Sequence, residues 1–216
     1  MDRGPAVFDV TQVWKFNSTY RLPALTSSGR VAGKLLSGWS VSGILSLQSG
    51  QPFTPALNSN RSRSQVAGGG GGLDRPDLVP GRNGGNMISG TSAGCLGFPS
   101  GTPIGTTARY YDPCAFAIPA AGFLGTAGRN FLRGPGFANL DFSLVKDTAL
   151  GFLGESGKLQ FRAEVFNILN RANFGLPDRT VFPATADVQM PLGTAGRIID
   201  TVGTSRQIQL ALKLLF

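Results

Sequence analysis

The chain has no histidine and only two cysteines among its 216 residues. Without histidine, neither a Ser-His-Asp nor a Cys-His catalytic arrangement can be built, and the imidazole ligands common in zinc sites are missing. We therefore expect no catalytic site, no metal site and no cofactor, and we interpret the chain as a protein that is not an enzyme.

Long hydrophobic runs are also missing. No stretch approaches the roughly 18 consecutive apolar residues that a transmembrane helix needs, so the sequence excludes such a helix. The first residues, MDRGPAVFDV, contain no basic segment followed by an apolar run. If the protein is exported, we expect its export signal to lie upstream of Met1.

Acidic residues are scarce: 12 Asp and Glu stand against 20 Lys and Arg, a formal net charge of +8. An excess of positive charge can indicate nucleic-acid binding when it is clustered on one face. Here the basic residues are dispersed along the chain and do not alternate with aromatic residues. We therefore expect no nucleic-acid partner.

Turn-forming residues and phenylalanine are abundant, with 31 Gly, 14 Pro and 15 Phe. This composition predicts an all-β protein. Five segments alternate between apolar and polar residues, and each has about the length, roughly 9–11 residues, with which a tilted strand crosses a bilayer. They lie at about 10–22, 39–49, 137–146, 158–169 and 207–216. In the fourth segment FRAEVFNIL could also form a short helix, but the alternation over 159–165 favours a strand.

The last segment, QIQLALKLLF, has the clearest pattern. One face holds only apolar residues, and the other holds mostly polar ones: Ile208, Leu210, Leu212, Leu214 and Phe216 against Gln207, Gln209, Ala211 and Lys213. Only Leu215 departs from the pattern. Alternation up to a terminal aromatic residue is typical of the closing strand of a bacterial outer-membrane barrel. We interpret the apolar set as a signal read by the outer-membrane assembly machinery. An amphipathic strand of a soluble sandwich is the alternative.

The connections between the five segments alternate in length. Residues 23–38 and 147–157 are short, whereas 50–136 and 170–206 are long. Outer-membrane barrels have short periplasmic turns and long extracellular loops, so this order predicts that 50–136 and 170–206 are external. The five-glycine run Gly68–Gly72 predicts a flexible surface loop.

Five strands are too few to close a barrel. Single-chain bacterial barrels have even strand numbers from 8 upward, and an open edge in lipid leaves backbone groups without partners. The sequence therefore predicts an antiparallel transmembrane β-barrel segment, an incomplete barrel. We expect a fragment of a larger barrel, and a truncated reading frame is the alternative.

Several side chains are candidates for specific roles. Trp14 and Trp39 lie near predicted strand ends, as interface aromatics do, although ordinary core positions would explain them too. Asp141, Arg162 and Glu164 fall on lumen-facing positions, where a cross-strand charge ladder is expected. A carboxylate pair for acid–base chemistry is the alternative. Lys146 is interpreted as a residue that snorkels to the interface.

Cys95 and Cys114 lie in a Gly/Pro-rich region. With no histidine nearby, they predict a disulfide in an oxidising compartment rather than a zinc site. Two unpaired thiols in a cytosolic protein are the alternative.

Four stretches, 38–55, 110–148, 159–177 and 196–216, resemble the C-terminal barrel of Oar-like TonB-dependent receptors, which are typical of large acidobacterial outer-membrane proteins. They include GWSVSGILSLQSGQPFTP and LQFRAEVFNILNRANFGLP. The resemblance implies a 22-stranded barrel embedded in outer-membrane lipid and places Cys95 and Cys114 in an external loop. It also implies an N-terminal plug and a segment that contacts the TonB protein, neither of which matches any part of this sequence.

The main hypothesis is therefore a partial barrel of a TonB-dependent transporter for an unidentified large ligand, such as a carbohydrate, a peptide or a metal chelate. The TonB system would act only through the missing N-terminal part. Two rivals remain at this point. One is a soluble, secreted, lectin-like binding or adhesion module, and the other is a cell-surface hydrolase that uses Asp141, Glu164 and Glu155.

Overall fold

The computed structural model describes residues 4–24, 30–64 and 74–216. These residues form two compact units that alternate along the chain. One unit, the sheet unit, comprises 12–48, 137–173 and 202–216; the other, the loop unit, comprises the described residues of 1–11, 49–136 and 174–201. The run Gly68–Gly72 and its predicted flexibility lie outside the described residues.

The sheet unit is built on five long strands. In chain order they are Val13–Arg21, Trp39–Gln48, Phe137–Ala149, Lys158–Phe166 and Gln207–Leu215. Each lies next to its predecessor, and all four pairings are antiparallel. The prediction of five long antiparallel strands is confirmed. FRAEVF is strand rather than helix, and the fourth strand ends before the predicted Leu169.

The sheet stays open. The first strand and the fifth strand each pair with one neighbour, and the sheet order places them at opposite edges. The predicted incomplete barrel is therefore confirmed for the described residues. Each edge strand of nine residues presents a row of backbone groups that a further strand could pair with.

A short helix, Arg30–Leu36, lies in the predicted connection 23–38. The sequence pattern does not predict this helix, because seven residues carry too little periodicity to reveal one. The connection between the third and fourth strands contains a short 3₁₀ turn, Gly151–Leu153.

The loop unit has its own hydrophobic core. Its regular structure is limited to strands of two or three residues and one 3₁₀ turn: Pro52–Phe53, Ala56–Leu57, Asp77–Leu78, Phe116–Ala117, Leu132–Arg133, Thr180–Phe182 and Pro113–Ala115. Tyr111 lies at the centre, fully buried, with the Phe53 ring 5.8 Å away and the Phe116 ring 6.0 Å away. The long connections thus contain packed structure, which the sequence analysis did not foresee.

Close backbone contact explains one glycine pair in this unit. A Cβ atom at Gly50 would collide with the carbonyl oxygen of Gly134, so the two chain segments approach here only because Gly50 has no side chain. Gly134 also donates its amide proton to the Gln51 carbonyl at 2.9 Å. This contact joins the start and the end of the long connection 49–136 within the unit.

Candidate functional site

The strand register decides which side chains share a face of the sheet, because directly opposed residues in antiparallel strands point the same way. Leu45 lies opposite both Phe16 and Leu140, while Ala163 lies opposite both Leu144 and Leu210. Following these pairs across the sheet places most large apolar residues of the five strands on one face, which we call the apolar face. Six lie on the other face: Val13, Ile44, Phe137, Val145, Phe166 and Leu215.

The apolar face is exposed at both edges of the sheet. Ile208, Leu210 and Leu212 are 67%, 67% and 68% exposed, and Phe216 is 89% exposed. Leu214 is 49% exposed and completes the set predicted as an assembly signal. Exposed apolar surface of this extent indicates contact with another apolar phase rather than with water.

The two interface candidates, Trp14 and Trp39, occupy the apolar face in different ways. Trp14 is 55% exposed and stacks on Phe16 with ring centroids 6.2 Å apart. Trp39 is more sheltered, and its indole N–H donates to the Leu35 carbonyl of the short helix at 2.9 Å. The Trp39 polar edge is therefore satisfied within the protein.

Lys146 does not snorkel to the interface, contrary to the interpretation made from the sequence. It is 8% exposed, and its ammonium group donates to the carbonyl oxygens of Lys34, at 2.8 Å, and Ser37. The same group lies 5.4 Å from the centroid of the Trp39 ring. A cation at the C-terminal end of a helix is favourable because the last carbonyls lack partners there. Lys146 thus caps the helix 30–36. This contact joins the third strand to the helix, and no local sequence pattern predicts it.

The opposite side of the sheet, which we call the polar face, lines a hollow of about 690 Å3. Two ion pairs lie within this face. Arg162 lies 3.7 Å from Glu164, and Lys158 lies 3.5 Å from Asp147. Gln160 donates to Asp147 at 2.8 Å. The predicted lumen-facing residues Arg162 and Glu164 therefore lie on one face and contact each other, but they do so within one strand and not across two strands as expected.

Asp141 shares the polar face but not their contact. Its Oδ1 atom accepts hydrogen bonds from the Asn139 amide at 2.8 Å and from the Asn167 backbone N–H at 2.9 Å. The structure thus gives Asp141 and Glu164 separate partners, which does not favour the acid–base alternative. Glu155 lies in the turn between the third and fourth strands.

Two asparagines after the fourth strand organise the end of the sheet. The side chain of Asn167, 4% exposed, donates to the carbonyls of Arg171 and Thr204, both at 3.0 Å. Asn173 pairs with the backbone of Ala138 like a strand residue, accepting at 2.9 Å and donating at 3.1 Å. Sequence reasoning missed these roles. The signal was the spacing in FNILNRANF, since Asn side chains readily replace backbone partners in turns.

In the loop unit, Cys95 and Cys114 form a disulfide with Cα atoms 5.5 Å apart. Next to it, the fully buried Asp112 accepts hydrogen bonds from the Cys114 N–H at 3.1 Å and the Ser92 hydroxyl at 2.7 Å. Arg82 pairs with the same carboxylate at 3.2 Å. The disulfide and this charge-assisted cluster tie residues 82–114 into one structure.

Neighbouring tyrosines complete the centre of the loop unit. The Tyr111 hydroxyl donates to the Asp178 carbonyl at 2.9 Å, and the Tyr110 hydroxyl donates to the Arg133 carbonyl at 3.0 Å. Burial raises the pKa of both phenols above the usual value, for Tyr111 with a contribution from Asp178. Burial also lowers the pKa of Arg109, which lies over the Phe98 ring.

Among the residues described, no helix is long and apolar enough to cross a membrane. Over the same residues, no group of three or more His, Cys, Asp or Glu side chains could hold a metal ion.

Comparison with known proteins gives one match. A family model described as an outer membrane beta barrel domain matches residues 1–209. No curated protein and no solved structure matches the chain significantly. The apolar and polar faces of the open sheet agree with what such a domain presents to lipid and to water.

Proposed function

The chain belongs to the outer membrane beta barrel domain family and lies in the bacterial outer membrane, and on this basis we propose that it forms part of the wall of a TonB-dependent transporter. The observation that carries the proposal is the register, which sorts five adjacent strands into one continuous apolar face and one polar face. The resemblance of 38–55, 110–148, 159–177 and 196–216 to Oar-like receptors supports the transporter class. The soluble lectin-like alternative does not fit a family of membrane barrels.

In this proposal the apolar face contacts outer-membrane lipid and the polar face lines a water-filled lumen. Further strands pair with the edges at Val13–Arg21 and Gln207–Leu215, because lipid offers no hydrogen bonds to an open edge. The long connections 50–136 and 170–206 face the outside of the cell and contact a large ligand. TonB acts through a part of the protein other than these strands, and the chain itself catalyses no reaction.

Thiol labelling tests the assignment of the two faces. Cys95 and Cys114 are bonded to each other, so a newly introduced cysteine adds a free thiol to these 216 residues. Ser143→Cys and Leu144→Cys are adjacent in the third strand and lie on opposite faces. In intact outer membranes, a water-soluble maleimide should label Cys at 143, whereas Cys at 144 should react only with a lipid-soluble one. Equal labelling of both positions by the water-soluble reagent would contradict a membrane wall.

Growth assays test the dependence on TonB. Strains with and without the gene are grown on a polysaccharide, on peptides or on a chelated metal as the limiting nutrient, with TonB intact or disrupted. We expect at least one nutrient to require both the gene and TonB. A requirement for the gene that persists without TonB would leave a passive barrel and would disprove the energised transporter.

The proposed contact with the assembly machinery has its own test. Deleting Phe216, which is exposed at the end of the apolar pattern, should lower the abundance of the full-length protein in the outer-membrane fraction. Phe216→Tyr keeps an aromatic ring and serves as the matched control. Unchanged abundance of the deletion variant on a membrane-fraction blot would count against this role.

A further inference from the structure

We propose that the polar face carries a subsite for one neutral sugar residue, at the end of the sheet where the third, fourth and fifth strands meet their connections. This deepens the proposed function, on which it rests for a water-filled lumen, by naming the ligand class. A pocket of about 300 Å3 lies at this place. Its lining comes from five chain positions on the strands and four on the connections: Phe137, Asn139, Asp141, Phe166, Gln207, Asn167, Asn173, Gly203 and Thr204.

The two phenylalanines of this pocket are the first argument. In the five strands, Phe137 and Phe166 are the aromatic residues of the polar face, and both lie at this end of the sheet. Phe166 is 38% exposed although its face is otherwise largely polar. Water-facing aromatic rings next to polar groups are typical of a binding pocket, where they offer a flat apolar surface. The C–H face of a pyranose ring is a matching flat apolar surface.

The pocket also contains hydrogen-bonding groups that no described residue uses. Asn139 and Asn167 both donate to Oδ1 of Asp141, and no described residue donates to its Oδ2. Within the described chain, the side chains of Thr204 and Gln207 also make no hydrogen bond. The pocket therefore offers a carboxylate acceptor, a hydroxyl and an amide, a combination that can bind adjacent hydroxyl groups of a sugar as donors and as acceptors.

Two buried asparagines, which we call the frame of the pocket, are fixed by hydrogen bonds within the protein. The side-chain amides of Asn167 and Asn173 are both occupied with backbone groups, and both residues are buried. They therefore hold the lining in position and leave the ligand contacts to the other side chains. A pocket that needs no rearrangement loses less affinity to ordering.

Other ligand classes match the lining less well. The lining contains no Lys or Arg, so an anion such as phosphate would find no cation to bind. Asp141 is its one carboxylate, and the described residues hold no group of three or more potential metal ligands. A neutral polyhydroxyl compound is the class that uses both the aromatic rings and the polar groups.

The experiment measures sugar binding by the full-length protein, purified from outer membranes in detergent. Fluorescently labelled neutral oligosaccharides built from xylose, mannose, glucose or galactose are titrated and followed by fluorescence polarisation. We expect saturable binding of at least one of them, weakened about tenfold or more by Phe166→Leu, which keeps apolar volume but loses the flat ring. Asp141→Asn should weaken it by a similar factor, since charged acceptors make the stronger hydrogen bonds.

Glu164→Gln is the matched control, because it removes the same charge from the same face but does not line the pocket. Gln207→Ala, at an exposed position, provides a third pocket variant that leaves the buried frame intact. Absence of binding by the whole panel, or binding that the pocket variants leave unchanged while Glu164→Gln weakens it, would overturn the inference. Binding in detergent needs no TonB, so this result and that of the growth assays can fail independently.

Discussion

The two units of this protein place their apolar residues in opposite ways. In the loop unit, Leu132 and Tyr111 are fully buried in a common core. In the sheet unit, Leu210 is 67% exposed on a face made of similar residues. Leucine has the same chemistry at both positions, so the difference lies in the surroundings. A core excludes water by packing against itself, whereas the apolar face needs lipid to do so.

The two units also differ in the interactions that stabilise them. The sheet unit relies on four backbone ladders, which are satisfied inside the sheet except at its two edges. The loop unit has only strands of two or three residues, so it relies on a core, a disulfide and buried side-chain contacts to backbone. Irregular backbone needs such contacts because its polar groups have few ladder partners.

The largest expected effect comes from a substitution that disrupts the core of the loop unit. Leu132→Ala should destabilise the loop unit by about 2–5 kcal/mol, because a cavity adds to the lost burial. Leu210→Ala should cost much less, because lipid fills the space at an exposed position. Hydrogen exchange of peptides from each unit, measured by mass spectrometry in the purified protein, separates the two. Similar losses of protection in the two variants would contradict the assignment of Leu210 to lipid.

A charge introduced on the apolar face should have the second largest effect on stability. Leu210→Arg should cost about 2–4 kcal/mol if the residue lies near the middle of the bilayer, and it should lower outer-membrane abundance. Ala211→Arg, at the neighbouring position on the polar face, should be tolerated. The measurement is a blot of the outer-membrane fraction for both variants. Equal abundance of the two variants would contradict the assignment of one face to lipid and the other to water.

Removing the disulfide should weaken the loop unit alone. The Cys95→Ser, Cys114→Ser double variant opens a link between residues 19 positions apart. For a loop of this size the expected loss is about 3 kcal/mol. Limited proteolysis should then cleave within 49–136 more rapidly and leave the five strands protected. Faster cleavage in the strands as well would mean that the two units do not unfold separately.

The smallest effect concerns alkaline pH. The raised pKa of Tyr110 and Tyr111 means that their contribution to stability is complete below the ordinary tyrosine value of about 10 and is lost as pH rises through the folded values. In a Tyr20→Phe background Tyr110 and Tyr111 are the two tyrosines left among these 216 residues, and the difference from a Tyr111→Phe variant isolates the absorbance of Tyr111. The absorbance should rise above pH 10 together with loss of protection in the loop unit. In a Tyr111→Phe variant, protection of the loop unit should fall less steeply with pH. An unchanged dependence on pH would exclude Tyr111 as the source of the loss.

Much of the sheet could be predicted because successive side chains of a strand point to opposite faces. Alternation in the sequence therefore identifies the residues of each face. Leu159, Phe161, Ala163 and Val165 occupy one face in the structure as in the pattern, and Gln160, Arg162 and Glu164 occupy the other. The ends were less accurate. The predicted strand to Leu169 stops at Phe166, because Asn167 adopts φ +49 and turns the chain.

The candidate sugar pocket could not be read from the sequence. Phe137 and Phe166 are 29 positions apart in the chain, and Gln207 is further still. They line one pocket only because three strands pair in one particular register. The alternating pattern assigns each residue to a face, but it contains no information on how far along the sheet the residue lies.

The sequence by itself determined the class of fold, the two faces of each long strand and the membrane environment that the apolar face requires, because these depend on local periodicity and composition. Tertiary structure alone decided that the described residues of 49–136 and 174–201 contribute to a packed unit, that Lys146 caps the helix 30–36, and that Asn167 and Asn173 close the end of the sheet. Each of these depends on contacts between residues far apart in the chain, which a local sequence pattern does not encode.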